Sequence, residues 1–262
     1  MSTDRVAARI AARLVHASWI GDRAYHALDR VRARLVLALG SDAFFDAYND
    51  VAYSRDSTYR ATAPQFRRGL FPWERRVVRD FFPPPPARVL VGAAGGGRES
   101  LALAELGYQV TAFEPVAALA ESLQAARGDA AVEVLVGRYD ELPDLLPAGG
   151  ASRVNLSARA PFPAAILGWY SFSHGRSDAR RVDALRRVAA LTDGPIVVSY
   201  FPRPPHATGS ADQFSVQIGH YREIPESEMR RFAGEAGLEI LQLDPTGVEP
   251  AVFKRRAGGE TR

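Results

Sequence analysis

Residues 88–114 constrain the fold more than any other stretch. An apolar triplet, Val89-Leu90-Val91, runs into a turn holding Gly92, Gly95, Gly96 and Gly97. A segment from about Arg98 to Leu106 follows, then Gly107, then a second run, Tyr108 to Phe113, that ends on an acid, Glu114. A short continuous apolar run bounded by turn residues suits a strand buried on both faces of a parallel sheet. Glycines permit positive φ and let the backbone pass close to a ligand with no Cβ in the way, and Gly107 suits the C′ position of a helix. The stretch therefore predicts strand, glycine turn, helix and strand, with Glu114 at the sheet edge where open α/β folds bind ligands.

Spacing separates the nucleotide sites that share this layout. From Gly95 the chain reads Gly-Gly-Gly-Arg-Glu-Ser, so Ser100 stands where the third glycine of a dinucleotide fingerprint belongs, and no Gly-Lys-Ser/Thr follows for a phosphate loop. The stretch resembles motif I of the class I S-adenosylmethionine (SAM)-dependent methyltransferases, hydrophobic-hydrophobic-acid-x-Gly-x-Gly-x-Gly with a ribose-binding acid ending the second strand. Gly95 and Gly97 match the second and third glycines and Glu114 the ribose acid, whereas Val91 stands at the acid position and Ala93 at the first glycine.

The resemblance implies an α/β, Rossmann-like, seven-stranded and mostly parallel sheet, order 3-2-1-4-5-7-6, with a helical extension or lid ahead of it. It implies SAM as cofactor and methyl transfer to O or N of a small molecule, in specialised metabolism and in the cytoplasm. By the same resemblance Val91, Gly92, Ala93, Gly95, Gly97, Glu114 and Pro115 line the cofactor site. The altered motif also leaves open aminocarboxypropyl transfer, cyclisation of SAM with release of methylthioadenosine, or SAM binding without catalysis.

A chain of 262 residues accommodates one such domain with an appendage. It has no cysteine, which excludes disulfides, thiolate metal sites and a cysteine nucleophile. No Asp/His/Glu spacing announces a metal site. The net charge of +3 is spread along an arginine-rich chain with Lys254 as the single lysine, a weak footprint for nucleic acid. No apolar run is long enough to span a membrane.

Residues 3–39 read as two amphipathic helices, or alternatively as an arginine-rich transit segment, and Ser41 or Asp42 can cap a third helix from Ala43 to about Tyr53. Aromatics are dense over 44–73, as a helical core or as a lid over a cleft. The helix from Pro72 to Phe82 leads into Pro83-Pro84-Pro85-Pro86, which cannot continue it. The boundary of the catalytic domain, 72–256, falls there, after an extension at 1–71 and before a disordered tail at 257–262. Glu74 is either a first-turn charge or a carboxylate that meets the cofactor ammonium in place of the acid absent at Val91.

Further strands are expected at Val132–Val136, Ala164–Leu167 and Ile196–Tyr200, with a terminal pair at Leu238–Leu243 and Ala251–Lys254. Residues 141–162, broken by Pro143, Pro147, Gly149, Gly150 and Pro161, read as loop with one helical turn, and residues 202–217 form a second long loop. The resemblance puts Tyr139 and Asp140, after strand 3, beside adenine. It puts the segment after strand 4, with Trp169, Tyr170 and Phe172, beside the transferred group, where aromatic faces attract a cation. His174 is the first candidate for a general base, Tyr170 a second catalytic candidate, and His206 and His220 are alternatives; His16 and His26 read as structural.

Overall fold

The computed structural model describes residues 41–55, 57–174, 177–202, 214–215, 221–244 and 250–256, together with Gly21. The helices expected over 3–39, His16 and His26, most of the 202–217 loop with His206, His220, and the tail at 257–262 lie outside the described residues.

Helix α1, Asp42–Arg55, starts behind Ser41, whose hydroxyl accepts the Phe44 amide at 3.2 Å. It buries Phe45 and Tyr53, and 3-10 turns follow at Ser57–Tyr59 and Pro64–Arg67. Helix α2, Pro72–Phe81, opens with a proline where a missing N–H costs nothing. Glu74 folds back to accept the Phe71 amide at 2.6 Å, and the prolines end the helix.

Strand β1, Arg88–Gly92, leads through the glycine turn to helix α3, Arg98–Glu105, and strand β2, Gln109–Glu114. Helix α4, Ala117–Ala126, and strand β3, Val132–Val136, follow. Two short strands, β4 (Asp144–Pro147) and β5 (Val154–Asn155), precede β6, Ala164–Leu167. Helix α5 (Asp178–Leu191), strand β7 (Pro195–Val198), the short pair β8 (Phe214–Ser215) and β9 (Tyr221–Arg222), and helix α6 (Glu226–Glu235) come next. Strands β10, Leu238–Gln242, and β11, Ala251–Arg255, close the fold.

Among the described residues the main sheet runs β10-β11-β7-β6-β1-β2-β3-β4-β5. Strands β7, β6, β1, β2 and β3 are parallel, with Val91 opposite Ala112 on one side and Ile166 on the other. The last two strands enter antiparallel beside β7. Leaving out β4 and β5, the order is the expected 3-2-1-4-5-7-6.

The parallel strands are apolar throughout because helices cover both faces. Val89 and Val91 face Val77 of α2, Leu103 of α3 and Leu123 of α4, whereas Leu90 faces the layer containing Leu185 of α5 and Phe232 of α6.

The stretch 141–162 departs from the expected loop. β4 pairs antiparallel with β3, Leu135 opposite Pro147, and β5 pairs with β4, Leu145 opposite Val154, so the described sheet has nine strands rather than seven. Proline inside the run obscured this, yet near a sheet edge proline is tolerated because no ladder donor is required of it. Strand β7 ends at Val198, two residues earlier than expected. Among the described residues no helix is long and apolar enough to cross a membrane.

Candidate functional site

At the carboxyl ends of β1, β2, β3 and β6 the chain surrounds a cavity open to solvent, with about 1210 Å³ of atom-free space including open solvent. The glycine turn forms its floor. Ala93 at φ 52°, Gly95 at 54° and Gly97 at 89° are left-handed, so one non-glycine residue adopts a conformation that costs an L-residue roughly 1–2 kcal/mol.

The glycines do different work from that expected of a uniform ligand cradle. A Cβ on Gly97 would lie 2.1 Å from Cδ1 of Leu123, and one on Gly96 would lie 2.5 Å from the Ala61 amide nitrogen. These two therefore seat the turn on α4 and on the segment before α2. A Cβ on Gly92 would meet the Tyr139 hydroxyl at 2.8 Å. Of the turn, Ala93, Ala94 and Gly95 line the cavity, while Val91, Gly92 and Gly97 do not. Val91 is fully buried in the core beneath.

Glu114 ends β2 with its carboxylate at the cavity wall. Oε2 accepts the Gly95 amide at 2.8 Å and Oε1 the Val116 amide at 3.0 Å. Burial pushes its pKa up to about 7 against the opposing pull of those two amides. Pro115, Val116 and Leu119 continue the wall as an apolar patch. Tyr139 leans edge-on against Phe113, ring centroids 5.2 Å apart, with its hydroxyl 3.3 Å from Ser171 Oγ, and burial raises its pKa. Asp140 lines the cavity and accepts from Arg180 at 3.1 Å.

Beside the turn lies a buried ionic cluster. Glu74 is fully buried but is not on the cavity: its two oxygens accept from the two terminal nitrogens of Arg98, each at 2.6 Å. The Arg98 guanidinium also donates to the Gly69 carbonyl at 2.9 Å and lies 3.8 Å from the Phe71 ring centroid. Its remaining carboxylate partner is Glu99, whose Oε1 accepts at 2.6 Å and which does line the cavity. Burial raises the Glu99 pKa to about 7, opposed by the Arg98 charge. Glu99 presses on the turn after β6, where a Cβ on Gly168 would come within 2.7 Å of Oε1.

After β6, Trp169 and Tyr170 both take positive φ, 32° and 62°, rare for large side chains. The first bend puts Trp169 on the cavity among Tyr59, Phe66 and Phe71, with ring centroids at 6.0, 5.7 and 6.0 Å. The second directs Tyr170 away from it, stacked on Phe201 at 4.0 Å, so Tyr170 does not line the cavity. Phe172 and His174 both do. The His174 ring stacks on Tyr53 at 5.6 Å, and its Nε2 lies 3.3 Å from the Tyr53 hydroxyl.

Helix α1 roofs the cavity through Phe45, Asn49 and Tyr53. Asp46 pairs with Arg180 at 2.6 Å and Arg138 at 3.2 Å, and Asp50 pairs with Arg138 at 2.6 Å, tying α1 to the loop after β3 and to α5.

Of the residues expected from sequence, Ala93, Gly95, Glu114, Pro115, Tyr139, Asp140, Trp169 and His174 converge on one cavity. Glu74, Val91, Gly92, Gly97 and Tyr170 stand behind or beside it. Glu99, Asp46, Arg138 and Arg180 escaped the sequence reading. Only Glu99 carried a local signal, an acid in the first helical turn immediately after the glycines.

The sequence matches no protein-family model and has no significant match among curated proteins. Solved structures do match. The CcbJ methyltransferase from Streptomyces caelestis is similar at a TM-score of 0.60 and 16% identity, over 80% of this chain and 100% of that one. The 1,6-didemethyltoxoflavin-N1-methyltransferase of Burkholderia thailandensis, solved with 1,6-didemethyltoxoflavin and S-adenosylhomocysteine bound, is similar at 0.57 and 21% identity, over 82% and 89% of the two chains. A SAM-dependent methyltransferase from Leishmania major is similar at 0.54 and 14% identity, over 80% and 82%. At these identities the likeness is one of fold: the chain has the Rossmann-like α/β fold of the SAM-dependent methyltransferases.

Proposed function

We propose that the protein is a SAM-dependent methyltransferase acting on O or N of a small molecule. The observation that carries this reading is the buried Glu114 carboxylate at the tip of β2, aimed into the cavity and flanked by the left-handed turn at Ala93–Gly95. The donor set suits the cofactor. Two backbone amides occupy one lone pair on each Glu114 oxygen, which leaves acceptor capacity for the two ribose hydroxyls. Val116 and Leu119 offer adenine an apolar seat, with Asp140 and Tyr139 at its edge.

Bound SAM supplies an electrophilic methyl carbon on a sulfonium. The chain's own work is to place an acceptor atom in line with it and to exclude water. Trp169, Tyr59 and Phe66 form an aromatic wall that does both and favours positive charge nearby. His174, braced by Tyr53, takes the proton from an acceptor hydroxyl or ammonium. On this reading residues 72–256 are the catalytic domain, and the preceding segment is a lid whose α1 is latched by Arg138 and Arg180. The work fits a cytoplasmic enzyme of specialised metabolism. The Burkholderia thailandensis methyltransferase of like fold, whose name states a small-molecule substrate, gives a small-molecule acceptor precedent.

Calorimetric titration with SAM tests the cofactor assignment. Glu114→Ala is expected to weaken binding at least tenfold, about 1.4 kcal/mol, and an unchanged affinity would sink it. Incubation with SAM and a panel of acceptors should release S-adenosylhomocysteine; methylthioadenosine instead would point to attack at another carbon of SAM.

A further inference from the structure

With both carboxylates ionised, the cluster beside the glycine turn carries a net negative charge. It holds two carboxylates, Glu74 and Glu99, and one guanidinium, Arg98, with relative exposures of 0%, 3% and 0%. Glu74 takes both terminal nitrogens of Arg98, and the same guanidinium gives Glu99 a single bond. One negative charge is therefore left over, and the geometry assigns it to the cavity side, because Glu99 lines the cavity and Glu74 does not. An uncompensated buried charge is costly by several kcal/mol, which is why burial raises the Glu99 pKa, and a cation placed beside Glu99 stabilises its ionised form. The neighbourhood suits one: Trp169 lines the same cavity, Gly168 leaves room for the carboxylate, and the second buried acid on the cavity, Glu114, already has an amide donor on each oxygen to offset its charge.

Resting on the SAM reading above, we propose that Glu99 is the anionic contact for the ammonium of the cofactor's methionyl end. It does the work for which the motif has an acid at the position of Val91. Val91 points into the core and contributes nothing to the cavity. Moving the acid to the first turn of α3 requires that something hold it, and Arg98, anchored by Glu74, the Gly69 carbonyl and the Phe71 ring, is that support. Glu74 thus contributes two bonds away from the cavity, as the anchor of the anchor.

The test uses three probes on the full chain: S-adenosylhomocysteine, its deamino analogue that lacks the ammonium, and methylthioadenosine, which lacks the whole amino-acid end. Glu99→Gln keeps shape and can still accept from Arg98 while removing the surplus charge. It is expected to lower affinity for S-adenosylhomocysteine about 30-fold or more, in the range for unpairing a buried charge contact, and to leave methylthioadenosine within threefold. The wild-type protein should lose a similar factor on going to the deamino analogue, and Glu99→Gln should lose nothing further.

Unchanged S-adenosylhomocysteine affinity in Glu99→Gln, or an equal loss for methylthioadenosine, overturns the assignment while the SAM reading stands. Wild-type protein that binds none of the three overturns both. If Glu99→Gln fails to fold by circular dichroism, the wild-type comparison of the deamino analogue decides alone: equal affinities for it and for S-adenosylhomocysteine overturn the assignment.

Discussion

Replacing Glu114 by glutamine should change how folding stability depends on pH. The carboxylate is buried, and although two amides stabilise its charge, desolvation outweighs them and moves its pKa from 4.5 to about 7. A carboxyl whose folded pKa lies above its unfolded value contributes stability that is fully present below about pH 4.5 and is lost as pH rises through about 7. A shift of that size corresponds to roughly 3 kcal/mol at about 1.4 kcal/mol per unit. Glutamine removes the titration. It also turns an NH2 toward one of the Gly95 and Val116 amides, a cost of about 1–3 kcal/mol for the donor left without an acceptor. That cost does not vary with pH, so it offsets the curve without changing its slope. Urea unfolding of both proteins across about pH 4.5 to 8 isolates the titration. The stability of Glu114→Gln relative to wild type should rise by up to about 3 kcal/mol over that window. Glu99 titrates in both proteins and cancels in the difference. A flat difference would refute the argument that Glu114 ionises against its burial.

Three other perturbations follow from the same geometry. Gly97→Ala forces a left-handed alanine, at roughly 1–2 kcal/mol, and drives its Cβ into Leu123. With overpacking of about 1–3 kcal/mol it should lower the urea midpoint clearly, and an unaltered midpoint contradicts the packing described. His174→Ala should reduce turnover by about a hundredfold or more at unchanged calorimetric SAM affinity; undiminished turnover removes it as the base. Asp46→Asn loosens the latch between α1 and Arg138 and Arg180, pairs that are only partly buried. Global stability should fall by no more than about 1 kcal/mol, while amide exchange in α1 quickens; unchanged exchange would mean that Phe45 and Tyr53 hold the helix without the ion pairs.

How much was legible in the sequence depended on the range over which each signal acts. The apolar triplet of β1, the glycine turn and the acid at the end of β2 are local patterns, and they determined the parallel core, its edge and the position of Glu114. The terminal strand pair was legible for the same reason, since alternation along each strand needs only its own residues. Strands β4 and β5 were not, because Pro143 and Pro147 in and beside β4 mask a pairing that exists only once β3 is there to receive it.

The site divides in the same way. That glycines surround Ala93 is written in the chain, but that Gly96 and Gly97 serve Ala61 and Leu123 rather than a ligand follows from contacts across 35 and 26 positions, which no local spacing encodes. Sequence alone offered Glu74 as successor to the acid missing from Val91, with a first-turn helix charge as the alternative. The fold turns Glu74 to Arg98, which takes both of its oxygens away from the cavity, and leaves Glu99 facing the cavity, the arrangement on which the proposal for Glu99 rests. Sequence determines which charges a chain carries. Which of them is left uncompensated depends on distances of a few ångströms, and those exist only in the folded molecule.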